Sequence, residues 1–282
     1  MEIRDKYYAV NGIQLHVAEA GAPEGEVILF LHGFPEFWYG WRRQIEFFAS
    51  TGYRVLAPDQ RGYNSSSKPR RVKAYKMTAL TADIADLIQQ VVQKKVYLVG
   101  HDWGGAVAWA VAQHYPHLLE KLVILNMPHL EVMQHHLRTN PKQLRKSWYM
   151  GFFQLPMLPE IVSKTFNFKV LEKSMTASAR PGTFSEAEIA CYKAAWRQPE
   201  AITAMLNWYR AIKYISMDTR REVTVTTLMI WGRKDAFLSH TMAQPSIEKC
   251  TRGQLIFLDD ATHWLHHEKP DEVNDLLYHF IR

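Results

Sequence analysis

The sequence predicts an α/β fold: a mostly parallel eight-stranded sheet with helices on both faces, interrupted once by a helical insertion. Three observations predict it. Short apolar runs of strand length alternate with helix-periodic segments through most of the 282 residues. Near the start, two strand-like runs flank an Asn11-Gly12 turn, the strongest short-range hairpin signal. After Pro128 the alternation stops, and residues 129–218 are rich in Trp, Tyr, Phe, Met and Pro with no clear buried strand.

Taken in order, Tyr7–Val10 and Ile13–Ala18 form the hairpin, and Val27–Leu31 (VILFL) is a buried strand ending at His32-Gly33-Phe34-Pro35. An amphipathic helix is expected near Trp41–Ala49, and a strand at Tyr53–Ala57. Leu80, Ile84, Leu87, Ile88 and Val91 recur at helical spacing. Val96–Val99 reads as a strand, Ala106–His114 as a helix and Leu122–Leu125 as the next strand. Beyond the insertion, Val225–Trp231 and Gln254–Leu258 are strands, and Asp271–Phe280 is the last helix. The expected division is therefore a core of residues 1–128 and 219–282 with a helical cap over 129–218. Ligands of such sheets bind at the carboxyl ends of the strands, and those loops hold nearly all the chemically able residues.

Composition removes several classes. An apolar content of 47% supports a core without staples, and two cysteines, Cys191 and Cys250, fit a reduced cytoplasmic protein. The start MEIRDKYYAV lacks the apolar stretch of a signal peptide, and no run approaches the ~20 apolar residues that cross a bilayer, so no membrane partner is expected. The net charge is +6, yet its densest cluster, Lys68 to Lys76, is broken by a proline and accompanied by no nucleic-acid module. It reads as a solvated loop. The adjacent pairs His135-His136 and His266-His267 lack the i, i+4 spacing that puts two rings on one helical face, so neither metal nor cofactor is expected.

The segment Gly100-His101-Asp102-Trp103-Gly104 has the strand, glycine turn and helix of a nucleophile elbow, with an acid where many hydrolases place serine. Alone, Asp102 reads equally as a helix cap. Downstream, Asp235 and His263 each follow a strand, in the order nucleophile, acid, histidine. His266 and His267 rival His263 as base; Asp259 and Asp260 rival Asp235 but stand too near His263 in sequence to reach its ring comfortably. A third position for the acid holds the uncharged Asn126. Backbone N–H groups of Phe34 and Trp103 are placed to converge on one oxygen as an oxyanion hole. His32 and His101 read as packed, structural histidines. The insertion carries Trp148-Tyr149 and Trp208-Tyr209, whose tyrosines read either as core or as proton donors.

A carboxylate at an elbow changes the chemistry. Attack on the sp³ carbon of an epoxide or alkyl halide would leave serine as an inert ether. Asp102 would instead become an ester, which water can cleave at its carbonyl. An aspartate is ordinarily ionised at neutral pH, so His263 would serve the water rather than the nucleophile, oriented by Asp235. Tyrosine donors suit an opening epoxide; a halide needs only weak donors such as the Trp103 indole.

These motifs resemble the epoxide hydrolases of the α/β-hydrolase superfamily. The matching segments are His32-Gly33-Phe34-Pro35-Glu36, Arg61-Gly62-Tyr63, Gly100 to Gly105, Ser147-Trp148-Tyr149, Leu206 to Arg210 and His263-Trp264. The first and third are shared with dehalogenase relatives; the two tyrosine segments are the specific ones. The resemblance implies the α/β-hydrolase fold, Asp102 as nucleophile, Asp235 and His263 as the relay pair, and Tyr149 and Tyr209 as donors to the oxirane oxygen. The aromatics of residues 148–168 suggest an apolar pocket, so a small apolar epoxide and water are the expected partners, with no cofactor, metal or nucleic acid, and either a monomer or a dimer is compatible with the sequence. The chain departs from the family's Arg-Gly-Tyr-Gly at Asn64, a residue that tolerates the left-handed turn. A haloalkane or haloacid dehalogenase is the second reading, weakened because Trp103 stands where haloacid types carry arginine and Phe34 offers no side-chain donor. A non-catalytic receptor is the third, and the complete Asp102, Asp235 and His263 set argues against it.

Overall fold

The computed structural model describes residues 2–214 and 221–282. Eight strands form one sheet: β1 (Arg4–Val10), β2 (Ile13–Gly21), β3 (Val27–Leu31), β4 (Arg54–Pro58), β5 (Val96–His101), β6 (Leu119–Leu125), β7 (Thr227–Gly232) and β8 (Gly253–Leu258). Their spatial order is β1-β2-β4-β3-β5-β6-β7-β8. β2 runs antiparallel to both β1 and β4, and the remaining pairs are parallel. The expected mostly parallel sheet is present. β3 and β5 are adjacent although β4 separates them in sequence, so the chain reverses its direction of travel across the sheet there. That reversal opens a crevice at the strand ends, where Gly33-Phe34 and Asp102 emerge.

Both faces are covered by helices. On one side α1 (Arg42–Ser50) and the last helix, Pro270–Ile281, seal Ile28, Phe30, Val55 and Val99 with Ile45, Phe48, Val273 and Leu277. On the other, α2 (Met77–Leu87) and α3 (Trp103–His114) join the core cluster that holds Leu29, Leu98 and Ile124. Ile84 and Leu87 supply the apolar stripe of α2, and Val107 and Val111 that of α3. Strands β3 and β5 are buried along their whole length, which is why they read as unbroken apolar runs rather than alternating ones.

Several boundaries differ from expectation. β1 begins at Arg4, where pairing with Glu19 of β2 extends the hairpin past its apolar residues. α3 begins at Trp103, not Ala106, so Gly104 and Gly105 lie inside the helix. The reason is a close approach: a Cβ on Gly104 would stand 2.2 Å from the Leu31 carbonyl oxygen. Gly104 lets the helix touch β3, while a Cβ on Gly105 would meet Met127 at 2.7 Å; neither glycine breaks the helix.

Between β6 and β7 the described residues form helices and no strand. These are α4 (Leu130–Thr139), α5 (Pro141–Lys146), α6 (Trp148–Phe152), α7 (Leu158–Thr176), α8 (Glu186–Trp196) and α9 (Ala201–Arg210). The expected boundary between residues 218 and 219 lies outside the described residues. The insertion is tied to the core by buried indoles: Trp208 Nε1 donates to the Arg61 carbonyl at 2.9 Å and Trp196 Nε1 to the Pro35 carbonyl at 2.7 Å. Arg61 is itself fixed by two hydrogen bonds to buried Asp83, at 2.7 and 2.5 Å. Asn64 adopts φ 37° and donates to Asp59, so the turn keeps its left-handed residue without glycine. No helix among the described residues is long and apolar enough to cross a membrane.

Candidate active site

Asp102 caps α3 with φ 48° and ψ −123°, a conformation that costs an ordinary residue free energy and here lifts the carboxylate above the strand ends. A Cβ on Gly33 would stand 2.5 Å from the Asp102 Cβ, so only glycine lets the β3 loop pass so near. That passage brings the Phe34 N–H to 2.9 Å from Asp102 Oδ1. Trp103 follows directly in the first turn of α3, and its ring packs edge-on against Tyr209 at 5.1 Å.

His263 and Asp235 arrive from the loops after β8 and β7. Asp235 Oδ2 lies 2.8 Å from His263 Nδ1, and His263 Nε2 faces Asp102 Oδ2 at 3.6 Å. The other Asp235 oxygen accepts from the Phe237 and Leu238 N–H groups at 2.7 and 2.9 Å. Burial alone would raise the Asp235 pKa, but His263 and these donors bring it below the usual carboxylate value. Burial likewise pulls His263 down, and the facing carboxylates, Asp235 first and then Asp102 and Glu36, push it up to about 9.

Tyr149 in α6 and Tyr209 in α9 stand across the crevice, with ring centroids 5.9 Å apart and edge to face. Burial raises both hydroxyl pKa values, helped by the Asp102 charge, so both remain protonated donors at neutral pH. Asp102, Tyr149 and Tyr209 all line a cavity of about 450 Å³ walled by Phe34, Phe153 and Trp264. The same three residues also line a second, methionine-rich space of about 80 Å³.

Of the rival residues, His32 is buried and bonded to the Gln60 N–H at 3.0 Å, as a structural residue. Asp259 pairs with Arg233 at 2.5 Å and Asp260 with Lys269 at 2.8 Å, both away from the imidazole. His266 and His267 turn from Asp235 toward Glu36, with His267 Nε2 2.6 Å from Glu36 Oε1. His101 does more than pack: its Nε2 bonds the His263 carbonyl at 2.9 Å, while its Nδ1 lies 3.3 Å from Glu36 Oε2.

Two residues matter more than their sequence context suggests. Asn126 directly follows β6, donates to Asp235 Oδ2 at 2.6 Å and accepts from the Gly232 N–H at 2.8 Å. It does not replace the acid; it aims it. Glu36, the last residue of the HGFPE segment, is fully buried. Burial would raise its pKa, but His267, His266 and His101 hold it well below the usual range. Among the described residues, Glu36, His266 and His267 also form a metal-ligand-type group with donor atoms within 4.8 Å of one another. Spacing within the sequence missed it because the carboxylate arrives from a different loop. Here the three side chains are joined by their own hydrogen bond and ion-pair contacts.

Comparison with known proteins identifies the fold and the family. The profile of the alpha/beta hydrolase fold family matches residues 26–270. The chain is 46% identical over 281 residues to the AB hydrolase superfamily protein YfhM of Bacillus subtilis, covering 99% of this chain and 98% of that one. It is 37% identical to mouse epoxide hydrolase 4 over 96% of this chain and 77% of the relative. The crystal structure of Bacillus megaterium epoxide hydrolase with an inhibitor superposes with a TM-score of 0.89 at 32% identity, covering 98% and 99% of the two chains. With sheet order, elbow and relatives in agreement, the chain belongs to the epoxide hydrolase family of the α/β-hydrolase fold.

Proposed function

We propose that this protein converts an epoxide and water to a vicinal diol through a covalent ester on Asp102. The observation that carries the reading is the division of labour at the Asp102 carboxylate. Oδ1 is held by the Phe34 N–H and Oδ2 faces His263, on a residue that lines the cavity. In the first step, Oδ2 attacks one ring carbon and the C–O bond opens. Tyr149 and Tyr209 donate to the departing oxygen, and one of them gives up its proton. In the second step, neutral His263 takes a proton from water, whose oxygen adds to the ester carbonyl carbon. Negative charge then develops on Oδ1, where the Phe34 N–H already points and the Trp103 N–H is close in sequence. Collapse breaks the bond between the acyl carbon and Oδ2. The departing oxygen takes the remaining proton of the added water, which completes the diol and restores the carboxylate. The proton on His263 returns to the tyrosinate through solvent or product.

Asp235 keeps the His263 ring in the tautomer whose Nε2 is free, and balances its charge once protonated. The helices α4 to α9 act as a cap that supplies both tyrosines and excludes bulk water. The apolar cavity suits a lipophilic epoxide. Free Cys191 and Cys250 support a reducing, cytoplasmic compartment.

The test is a single turnover in ¹⁸O water, followed by mass analysis of the peptide containing Asp102. Label in that carboxylate is expected, and His263→Gln should accumulate an adduct of substrate mass. Label confined to the diol would refute the ester.

A further inference from the structure

Among the described residues, every exposed large apolar side chain except Tyr7 lies between Leu144 and Val170. Phe166 is 85% exposed, Met157 73%, Trp148 69% and Ile161 61%. Single exposed apolar residues are ordinary, but a concentration within one stretch of the insertion marks an interaction surface. The backbone supports its being built rather than incidental. Phe166, Asn167 and Phe168 all have left-handed φ angles, 48°, 55° and 61°, in the middle of α7. None is glycine, so the turn costs free energy. Its result is divergent: Phe168 is buried against Trp196 while Phe166 projects into solvent.

Charge identifies what covers this surface. From Arg138 to Lys173 the sequence carries seven Lys and Arg and two acids. Both acids are paired, Glu160 with Arg210 at 2.6 Å and Glu172 with Lys193 at 2.6 Å and with Lys169 inside the stretch, which leaves Lys142, Arg145 and Lys164 among its exposed cations outside those pairs. Exposed apolar side chains interspersed along the chain with exposed cations fit the headgroup boundary of an anionic bilayer. A second copy fits poorly, because a two-fold contact would bring the same cations face to face.

The surface also surrounds the site's entrance. Trp148 and Val170, both exposed, line the 450 Å³ cavity together with Arg145, Val162 and Leu171. We infer that the face formed by residues 142–170 docks peripherally on anionic lipid, so that an epoxide dissolved in the bilayer enters the cavity without crossing water. This differs from spanning a membrane and goes beyond the sequence reading, which expected no membrane partner. The lipid contact stands on the surface alone; the traffic through it rests on the epoxide hydrolase reading.

The experiment is co-sedimentation of the purified protein with vesicles of phosphatidylglycerol and phosphatidylcholine, against vesicles of phosphatidylcholine alone. Wild type should bind the anionic vesicles, prefer them over neutral ones and dissociate as salt rises. Met157→Ser, Ile161→Ser and Phe166→Ser combined should abolish binding. Lys142→Glu with Lys164→Glu should weaken it by about tenfold or more, since each cation near an anionic surface is worth about fivefold in affinity. Both variants should turn over a water-soluble epoxide such as styrene oxide at the wild-type rate. Loss of that turnover in wild type would remove the hydrolase reading and leave the lipid test intact. No sedimentation at millimolar anionic lipid would overturn the proposal, as would equal binding to neutral vesicles. So would a wild-type dimer in sedimentation velocity that the triple variant dissociates, because a second copy would then cover the face.

Discussion

His263 Nε2 faces Asp102 Oδ2 at 3.6 Å, so the imidazole senses directly whether that carboxylate is free or esterified. The Asp102 charge is among the contributions that push His263 up to about 9. Esterification removes that charge. The imidazole then loses its proton more easily, at the moment when a base is needed. The acid limb of kcat, measured where ester hydrolysis limits turnover, should therefore report an apparent pKa below 9. A limb at or above that value would show that His263 does not sense the ester.

The same imidazole links stability to pH. Its pKa rises from about 6.5 in the unfolded chain to about 9 in the fold, so the native state holds the proton more tightly. That contribution is complete below about 6.5 and is lost as pH rises through 9, and for this fully buried group it amounts to about 3 kcal/mol. Urea unfolding at about pH 6.5 and about pH 9.5 should show the decline in wild type and a smaller one in His263→Gln. Equal slopes would assign it elsewhere.

Asn126→Leu should cost about 1–3 kcal/mol, because it strands the buried Gly232 N–H and removes one donor from Asp235. Asp235 would rotate more freely, so hydrolysis of the ester should slow more than its formation. Rapid-quench measurement of the two steps separates them; equal slowing would mean that Asn126 is merely structural.

Tyr149→Phe and Tyr209→Phe together should abolish alkylation while leaving the thermal transition nearly unchanged, since each loses one oxygen and keeps its ring contacts. Either single variant should retain part of the rate because the other hydroxyl still donates. Wild-type activity in the double variant would return both residues to packing.

Glu36→Leu should destabilise by about 1–3 kcal/mol, as it removes the buried acceptor of His267 and Tyr192 and leaves those donors unpaired. Its effect should reach catalysis through His101, which holds the His263 carbonyl. Circular dichroism and the ester-hydrolysis rate distinguish a lost fold from a displaced base.

Sequence by itself determined the strand and helix alternation and the elbow with Asp102 at its tip, because these are local. Buried parallel strands are continuous apolar runs, and an elbow needs glycines at fixed offsets. The order of Asp235 and His263 was legible for the same reason, since each follows a strand whose end must face the crevice. Sequence did not show that Gly104 belongs inside α3, because that depends on how near β3 passes. Sequence preferred His263 to His266 and His267 by its place after the last strand, but did not show what those two neighbours contact. Tertiary packing decided that His263 meets Asp235 while its neighbours turn to Glu36, and that Asn126 steadies the acid. Each of these is a contact between side chains brought together from separate loops. Such contacts have no period along the chain, and only the sheet order that aligns the strand ends creates them.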